Sequence, residues 1–327
     1  MEIEARHDSF QAMNDDPFWS ESAYFPFLVP ERNLSGWVYI LHRRNMSNTV
    51  AGVAIWDPSG DASYDCLYYD WGDPLPLPAG ADMFDFQLSN GLRVECVEPL
   101  HEFRLTYDNA GVEVDLQWVA VAEPFVAEWG KSSRADDWAT GHYEQRGRIV
   151  GRLVIAGESI DVDCWSNRDR SWGPRHYVNN PGGDFPWGIA EDGSGFHALS
   201  LDTRPRASQA VGDGAYDIVF GWYSRDGEVR NLVGGTRRTM ARGTDGRPLR
   251  VRVEGLDADG RKITAEGRCV NWLKWHGYST MFQWWCMTEW HFDGRVGWGE
   301  VMEFYPIEQG RRLLRTPEHH SAGQVSS

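Results

Sequence analysis

The sequence predicts an all-β chain, and three observations carry that reading. Segments alternating apolar and polar residues at period two recur along its 327 residues. Turn dipeptides punctuate them, in a chain that holds 35 Gly and 16 Pro. No long segment shows a convincing 3.6-residue period. Five hairpins follow in chain order. FDFQL turns into LRVECV at Ser89-Asn90-Gly91, and Asn-Gly is the strongest short hairpin signal because a type I′ turn needs two positive φ angles. Asn109-Ala110-Gly111 joins EFRLTY to VEVDLQWVAV, and Ala156-Gly157-Glu158 joins GRIVGRLVI to SIDVDCW. LRVRVEG and KITAEGRCVNW flank a loop holding Asp257, Asp259 and Gly260. MFQWWCMTEWHF and RVGWGEVMEFY meet at Asp293-Gly294.

The loop-rich stretch 179–195 (NNPGGDFPWGIAEDGSG) divides the chain into residues 1–180 and 181–327. Each part has about the length of one antiparallel barrel of roughly eight strands. From about residue 309, through His319-His320 to Ser327, the sequence is polar and aperiodic, which predicts a loose tail.

Lys+Arg 32 against Asp+Glu 48 gives a formal net charge of −16. Such a chain repels phosphate backbones and anionic membranes, so nucleic acid is not an expected partner. No apolar run is long enough to span a bilayer. The start MEIEARHDSF lacks a basic n-region and an apolar h-region, so the expected location is the cytoplasm. Five scattered cysteines with no CxxC pair predict reduced thiols and argue against a cysteine zinc site. Trp 17, Tyr 12 and Phe 14 make 13% of the chain. That much rigid aromatic area suits apolar pockets and cation stabilisation, and it also suits strands.

The densest segment is Cys164-Trp165-Ser166-Asn167-Arg168-Asp169-Arg170-Ser171-Trp172-Gly173-Pro174-Arg175-His176. In an extended chain Asp169 points away from Arg168 and Arg170, on the face of Asn167 and Ser171. One face then offers a carboxyl group with small polar neighbours. The other offers guanidinium anchors, and Arg168, Arg170 and Arg175 are read as structural. An internal Arg–Asp network fixing a barrel corner fits the same residues. In Trp138-Ala139-Thr140-Gly141-His142-Tyr143-Glu144-Gln145, His142 and Glu144 share a face. A carboxylate beside an imidazole fixes its tautomer and raises its basicity, and a plain cross-strand pair is the alternative. Further on, Gln283, Trp285, Met287, Glu289 and His291 share one strand face, opposite Phe282, Trp284, Cys286, Trp290 and Phe292. That mixed face fits a ligand cavity or a barrel interior.

Other chemistries lack support. There is no GxGxxG opening a helix, no GxxxxGK[ST], no GxSxG and no HExxH. His142, Glu144, His176, Glu289 and His291 are residue types that can hold a divalent metal, but they follow no metal-ligand spacing, so metal is the minority alternative and none is assigned.

The segment HYEQRGRIVGRLVIAGESIDVDCWSNRDRSWGPR resembles the core signature of proteins related to carotenoid 1,2-hydratase (hydroxyneurosporene synthase). That group in turn resembles lipocalin-like pericyclases of polyketide biosynthesis. The resemblance is sharp over residues 141–176, and RDRSWGPR is its most specific part. It implies two lipocalin-like (calycin-type) β-barrel lobes packed together, a hydrophobic cavity and no organic cofactor. The hydratases use a His-x-Trp element and a downstream Tyr-x-Asp element. His142 matches the His and Asp169 the Asp, whereas Glu144 stands where Trp is expected and Asn167 where Tyr is expected. These departures leave a smaller terpenoid, steroid or aromatic substrate as open as a carotenoid.

The expected function is a cofactor-independent acid/base enzyme acting on a hydrophobic, alkene-containing small molecule. Hydratase (lyase-type), isomerase and cyclase chemistry all fit, and a non-catalytic lipocalin-like carrier is the alternative. Hydrating an unactivated alkene needs a proton delivered to carbon and a cation quenched by water. Asp169 is the candidate acid, and burial must raise it from the ordinary Asp pKa of about 3.9. His142 and Glu144 would orient or deprotonate the water. Trp138, Trp165, Trp172 and Trp285 would shield the cation, with Met287, Glu289 and His291 completing the substrate wall.

Overall fold

The computed structural model describes residues 2–126, 139–176, 181–204 and 214–315. It is an all-β molecule of two compact units, residues 1–59 with 63–176 and residues 60–62 with 177–327.

In the first unit, β1 (Trp19–Val29), β2 (Leu34–Arg43) and β3 (Asn48–Trp56) form a meander. The short β4 (Tyr68–Asp70) and β5 (Leu75–Pro76) both pair with β3. Then come β6 (Asp85–Gln87), β7 (Arg93–Glu98), β8 (Glu102–Asn109) and β9 (Val112–Ala120). The two-residue β10 (Phe125–Val126) pairs with the long β11 (Gly141–Ile155), which turns into β12 (Glu158–Pro174). The hydrogen-bonded order is β4-β3-β2-β1-β12-β11-β9-β8-β7-β6, so the last strand returns to the first. Between β4 and β6 the chain runs through Pro74, Pro76 and Pro78, which lack the N–H a ladder needs. This unit is therefore a large curled sheet. Side chains bridge its open seam: His42 Nε2 donates to the Met83 carbonyl at 3.3 Å, and the His42 and Phe86 rings lie 4.9 Å apart.

The second unit contains β13 (Gly183–Asp184), β14 (Trp187–Ala190), β15 (Gly195–Leu201), β16 (Ala215–Arg225) and β17 (Glu228–Arg242). It continues with β18 (Pro248–Asp257), β19 (Lys262–Cys269), β20 (Leu273–Trp275), β21 (Met281–Phe292) and β22 (Arg295–Pro306). Here β14 to β19, β21 and β22 close on themselves, since β22 pairs with both β21 and β14. The result is an eight-stranded antiparallel barrel. Its core includes Phe196, Tyr223, Val253, Trp284, Trp290 and Val301.

All five expected hairpins form. Ala110, Ala156 and Asp293 adopt φ of 51°, 52° and 51°, and the glycine after each is also positive. Two sequence expectations need correction. The loop-rich stretch 179–195 is not all loop, because Trp187–Ala190 is barrel strand β14, disguised by flanking Gly and Pro. The chain from about residue 309 is not all tail: Ile307–Leu313 forms a helix, α1, and Leu313 joins the barrel core. His319 and His320 lie outside the described residues. All five cysteines are free thiols. Among the described residues, no helix is long and apolar enough to cross a membrane.

Candidate active site

Alternation along β12 sorts the dense segment onto two faces. Arg168 and Arg170 point into the curl of the sheet, where neither retains any exposure. Arg168 donates to both Asp8 carboxylate oxygens at 3.1 and 3.2 Å, to Gln145 Oε1 at 2.7 Å and to the Tyr143 hydroxyl at 3.2 Å. Its guanidinium also lies 4.5 Å from the Phe103 ring centre and 4.9 Å from that of Trp118. Arg170 donates to Glu21 Oε2 at 2.5 Å and to the His7 and Ser9 carbonyls. These are buried, fully paired cations that tie residues 7–9 to β12.

The opposite face carries a row that crosses four strands. Glu144 of β11 stands directly across from Asp169 of β12, Asp169 across from Tyr24 of β1, and Tyr24 across from Tyr39 of β2. In the parallel row, His142 opposes Ser171, which opposes Ser22. His142, Glu144, Asn167 and Ser171 are all buried. Glu144 accepts twice, from His142 Nε2 at 2.8 Å and from Asn167 Nδ2 at 2.5 Å. Asp169 keeps a little exposure as a residue, yet its Oδ1 is sealed from solvent and receives no hydrogen bond.

The electrostatics follow from this asymmetry. Two carboxyl groups on opposed positions resist ionising together, and the one with donors aimed at it keeps the charge. Burial, reinforced by the Glu144 charge, pushes the Asp169 carboxyl up to about 7. Burial also pulls the His142 imidazole down to about 4, with Asp169 opposing that shift and Arg175 adding to it. At neutral pH the arrangement thus holds a neutral imidazole and an Asp poised between its acid and carboxylate forms. Arg175 does not lock onto Asp169. Its Nη2 donates to Ser22 Oγ at 3.3 Å and to Ser171 Oγ, and those two hydroxyls are 3.0 Å apart.

The row continues into aromatic rings that sequence reasoning missed. Tyr24 and Tyr39 meet edge to face at 5.9 Å, and Tyr39 stacks on Trp71 at 5.3 Å. Trp37 packs against Tyr39 and Trp71 at 6.0 and 6.3 Å. Alternation in WSESAYFPF already places Tyr24 on the Ser20–Ser22 face, but only register brings it beside Asp169.

The remaining expected site residues are distributed differently. Trp165 does share the Asp169 face, with the Arg148 guanidinium 5.1 Å from its ring. Trp172 faces the other way: it clusters with Trp19 and Tyr143 and stacks on His7 at 5.6 Å. The period-two rule that separates Asp169 from the arginines puts Trp172 with the arginines. Trp138 lies outside the described residues. Trp285, Met287, Glu289 and His291 belong to the second unit, and the barrel core is lined by the opposite face of β21, through Phe282, Trp284, Cys286, Trp290 and Phe292. Trp285 and Met287 are buried on the outward face. Farther along the strand, Glu289 forms an ion cluster with Arg268 at 2.9 Å and with the exposed His291 at 3.0 Å. His176 pairs with Asp16 at 2.8 Å on the surface of the first unit.

The sequence pattern of a family described as "Domain of unknown function (DUF7064)" matches residues 2–305. The chain belongs to this family. Among solved structures, a candidate AttH of Nitrosomonas europaea is similar, with 16% identity, a TM-score of 0.61, and coverage of 89% of this chain and 93% of that one. CghA, solved also with Sch210972, is 12% identical with a TM-score of 0.54 and covers 89% of each chain. Kievitone hydratase from Nectria haematococca is 11% identical with a TM-score of 0.53 and covers 88% of each chain. Identities this low carry the fold and nothing finer. No curated protein matches this DUF7064 chain in sequence.

Proposed function

We propose that this DUF7064 protein is an acid/base enzyme that adds water to, or rearranges, a carbon–carbon double bond in a hydrophobic small molecule. One observation carries the reading: Asp169, with a sealed and unbonded Oδ1, stands directly opposite the doubly hydrogen-bonded Glu144, which holds His142. A carboxylic acid kept protonated near neutrality is what alkene protonation requires.

In the hydration sense, the Asp169 O–H gives its proton to one alkene carbon and becomes a carboxylate. The other alkene carbon becomes a cation, which the faces of Tyr24 and Tyr39 stabilise. A water oxygen bonds to that carbon, and its surplus proton passes to the His142 imidazole, whose imidazolium form Glu144 supports. Proton exchange then returns His142 to neutrality and Asp169 to its acid form. An isomerase or cyclase uses the same acid and rings and excludes water. Among the similar folds, one is named a hydratase, which supports this class, and CghA is solved with a small molecule, Sch210972.

The test is incubation with a panel of terpenoid, steroid and aromatic alkenes in heavy-oxygen water, using the wild-type chain and Asp169→Asn. Label incorporation that disappears in the variant supports hydration, and rearrangement without label supports the isomerase or cyclase form. Equal turnover by both proteins removes Asp169 from the chemistry. Tight binding without conversion favours the carrier.

A further inference from the structure

The outward wall of the second barrel gathers arginines across β17, β18 and β19. Alternation sends Val251 and Val253 of β18 into the core and leaves Arg250 and Arg252 outside. Register then sets two pairs of like charges directly opposite each other: Arg238 of β17 across from Arg252, and Arg250 across from Arg268 of β19. Directly opposed like charges are destabilising, so each pair calls for a counter-charge. Arg252 has Glu254 at 2.9 Å and Glu266 at 3.7 Å, and Arg268 has Glu289 at 2.9 Å. Among the described residues Arg250 has no carboxylate partner, although the chain carries a formal net charge of −16.

Two further observations mark the same place. A concavity of about 320 Å³ opens there, with Met240, Arg250, Arg252, Glu266, Arg268 and Glu289 in its lining. Its three arginines face two glutamates, and both Glu289 oxygens are already met, by Arg268 and by His291 Nε2 at 3.0 Å. One positive charge, that of Arg250, is left over. In addition, β17 loses register with β18 here, between Thr239 and Ala241 and again before Arg242. Met240 falls in that gap and stands 50% exposed beside the arginines. A bulge re-aims a side chain, and a large apolar one turned to solvent gains nothing from packing.

We propose that this concavity binds a small organic carboxylate. The carboxylate oxygens accept from the Arg250 and Arg268 guanidiniums, and the apolar body of the molecule lies against Met240. One carboxylate matches the one positive charge left over, and an anion between the opposed arginines relieves their repulsion. Binding here belongs to the second unit and does not depend on the reaction assigned to Asp169.

Equilibrium dialysis of the full chain at low ionic strength with 2-naphthoate and with 2-naphthamide tests it, because the two probes share a body and differ by one charge. The wild-type chain is expected to prefer 2-naphthoate by about fivefold or more. Arg250→Gln is expected to abolish the preference, and because Arg250 is exposed the substitution leaves the barrel intact. Lys262→Gln removes the same charge from the other end of β19, roughly 20 Å from Arg268, and is expected to leave the preference unchanged. No binding of 2-naphthoate by the wild-type chain, no preference between the probes, a preference that survives Arg250→Gln, or an equal loss in Lys262→Gln would overturn the proposal.

Discussion

Glu144 and Asp169 are directly opposed on adjacent antiparallel strands, yet only Glu144 is given hydrogen-bond donors. The fold thereby decides which carboxyl group carries the charge and which keeps a proton. Removing the Glu144 charge therefore lowers the Asp169 pKa. In Glu144→Gln, infrared difference spectroscopy of the Asp169 acid band is expected to show its titration moved down by about one unit or more. An unmoved titration means that Glu144 does not act on Asp169.

The same carboxyl makes stability depend on pH. Between its ordinary value of 3.8 and about 7, the folded chain holds a proton that the unfolded chain has released. Stability from this group is complete at low pH and is lost as pH rises through that window. Asp169→Asn has no such loss, so it gains on the wild type between about pH 5 and about pH 8, by on the order of 2 kcal/mol. Urea unfolding at both pH values checks this, and a difference that stays constant with pH contradicts it.

Arg168 anchors Asp8 with both groups shut away from water. Arg168→Ala strands the Asp8 charge in the core and is expected to cost about 3–5 kcal/mol in urea unfolding. A change under about 1 kcal/mol would mean that the pair does not hold the N-terminal segment.

Tyr24 sits between Asp169 and Tyr39 in the row. If its face stabilises a cation, Tyr24→Phe retains most of the turnover and Tyr24→Ala loses roughly 10- to 30-fold. Equal losses in both variants would assign the effect to the hydroxyl instead.

Glu289 pairs with Arg268 near the surface, and His291 Nε2 meets its other carboxylate oxygen. Replacing either by Ala is expected to shift stability by no more than about 0.5 kcal/mol and to leave turnover unchanged. A large loss of turnover would restore them to the site.

What the sequence made legible was local. Asn109-Ala110-Gly111 and Asp293-Gly294 declare their turns because few residue pairs tolerate two positive φ angles. Alternation separated Asp169 from Arg168 and Arg170, because a side chain two positions away must share its face. Register was not legible. That Tyr24 and Tyr39 continue the Asp169 row depends on β1 pairing with a strand far along the chain, and no local pattern encodes it. Nor does alternation tell how far burial extends along a face. Met287 and His291 share one, but Met287 is sealed while His291 reaches solvent.

The central claim is that Asp169 is largely protonated in the folded protein just below neutral pH. Carbon-13 NMR of the chain labelled at Asp side-chain carboxyl carbons, compared with Asp169→Asn, measures this without any substrate. The account predicts one resonance that titrates near pH 7 and is missing from the variant. A spectrum in which that resonance is already ionised below about pH 5 would contradict it.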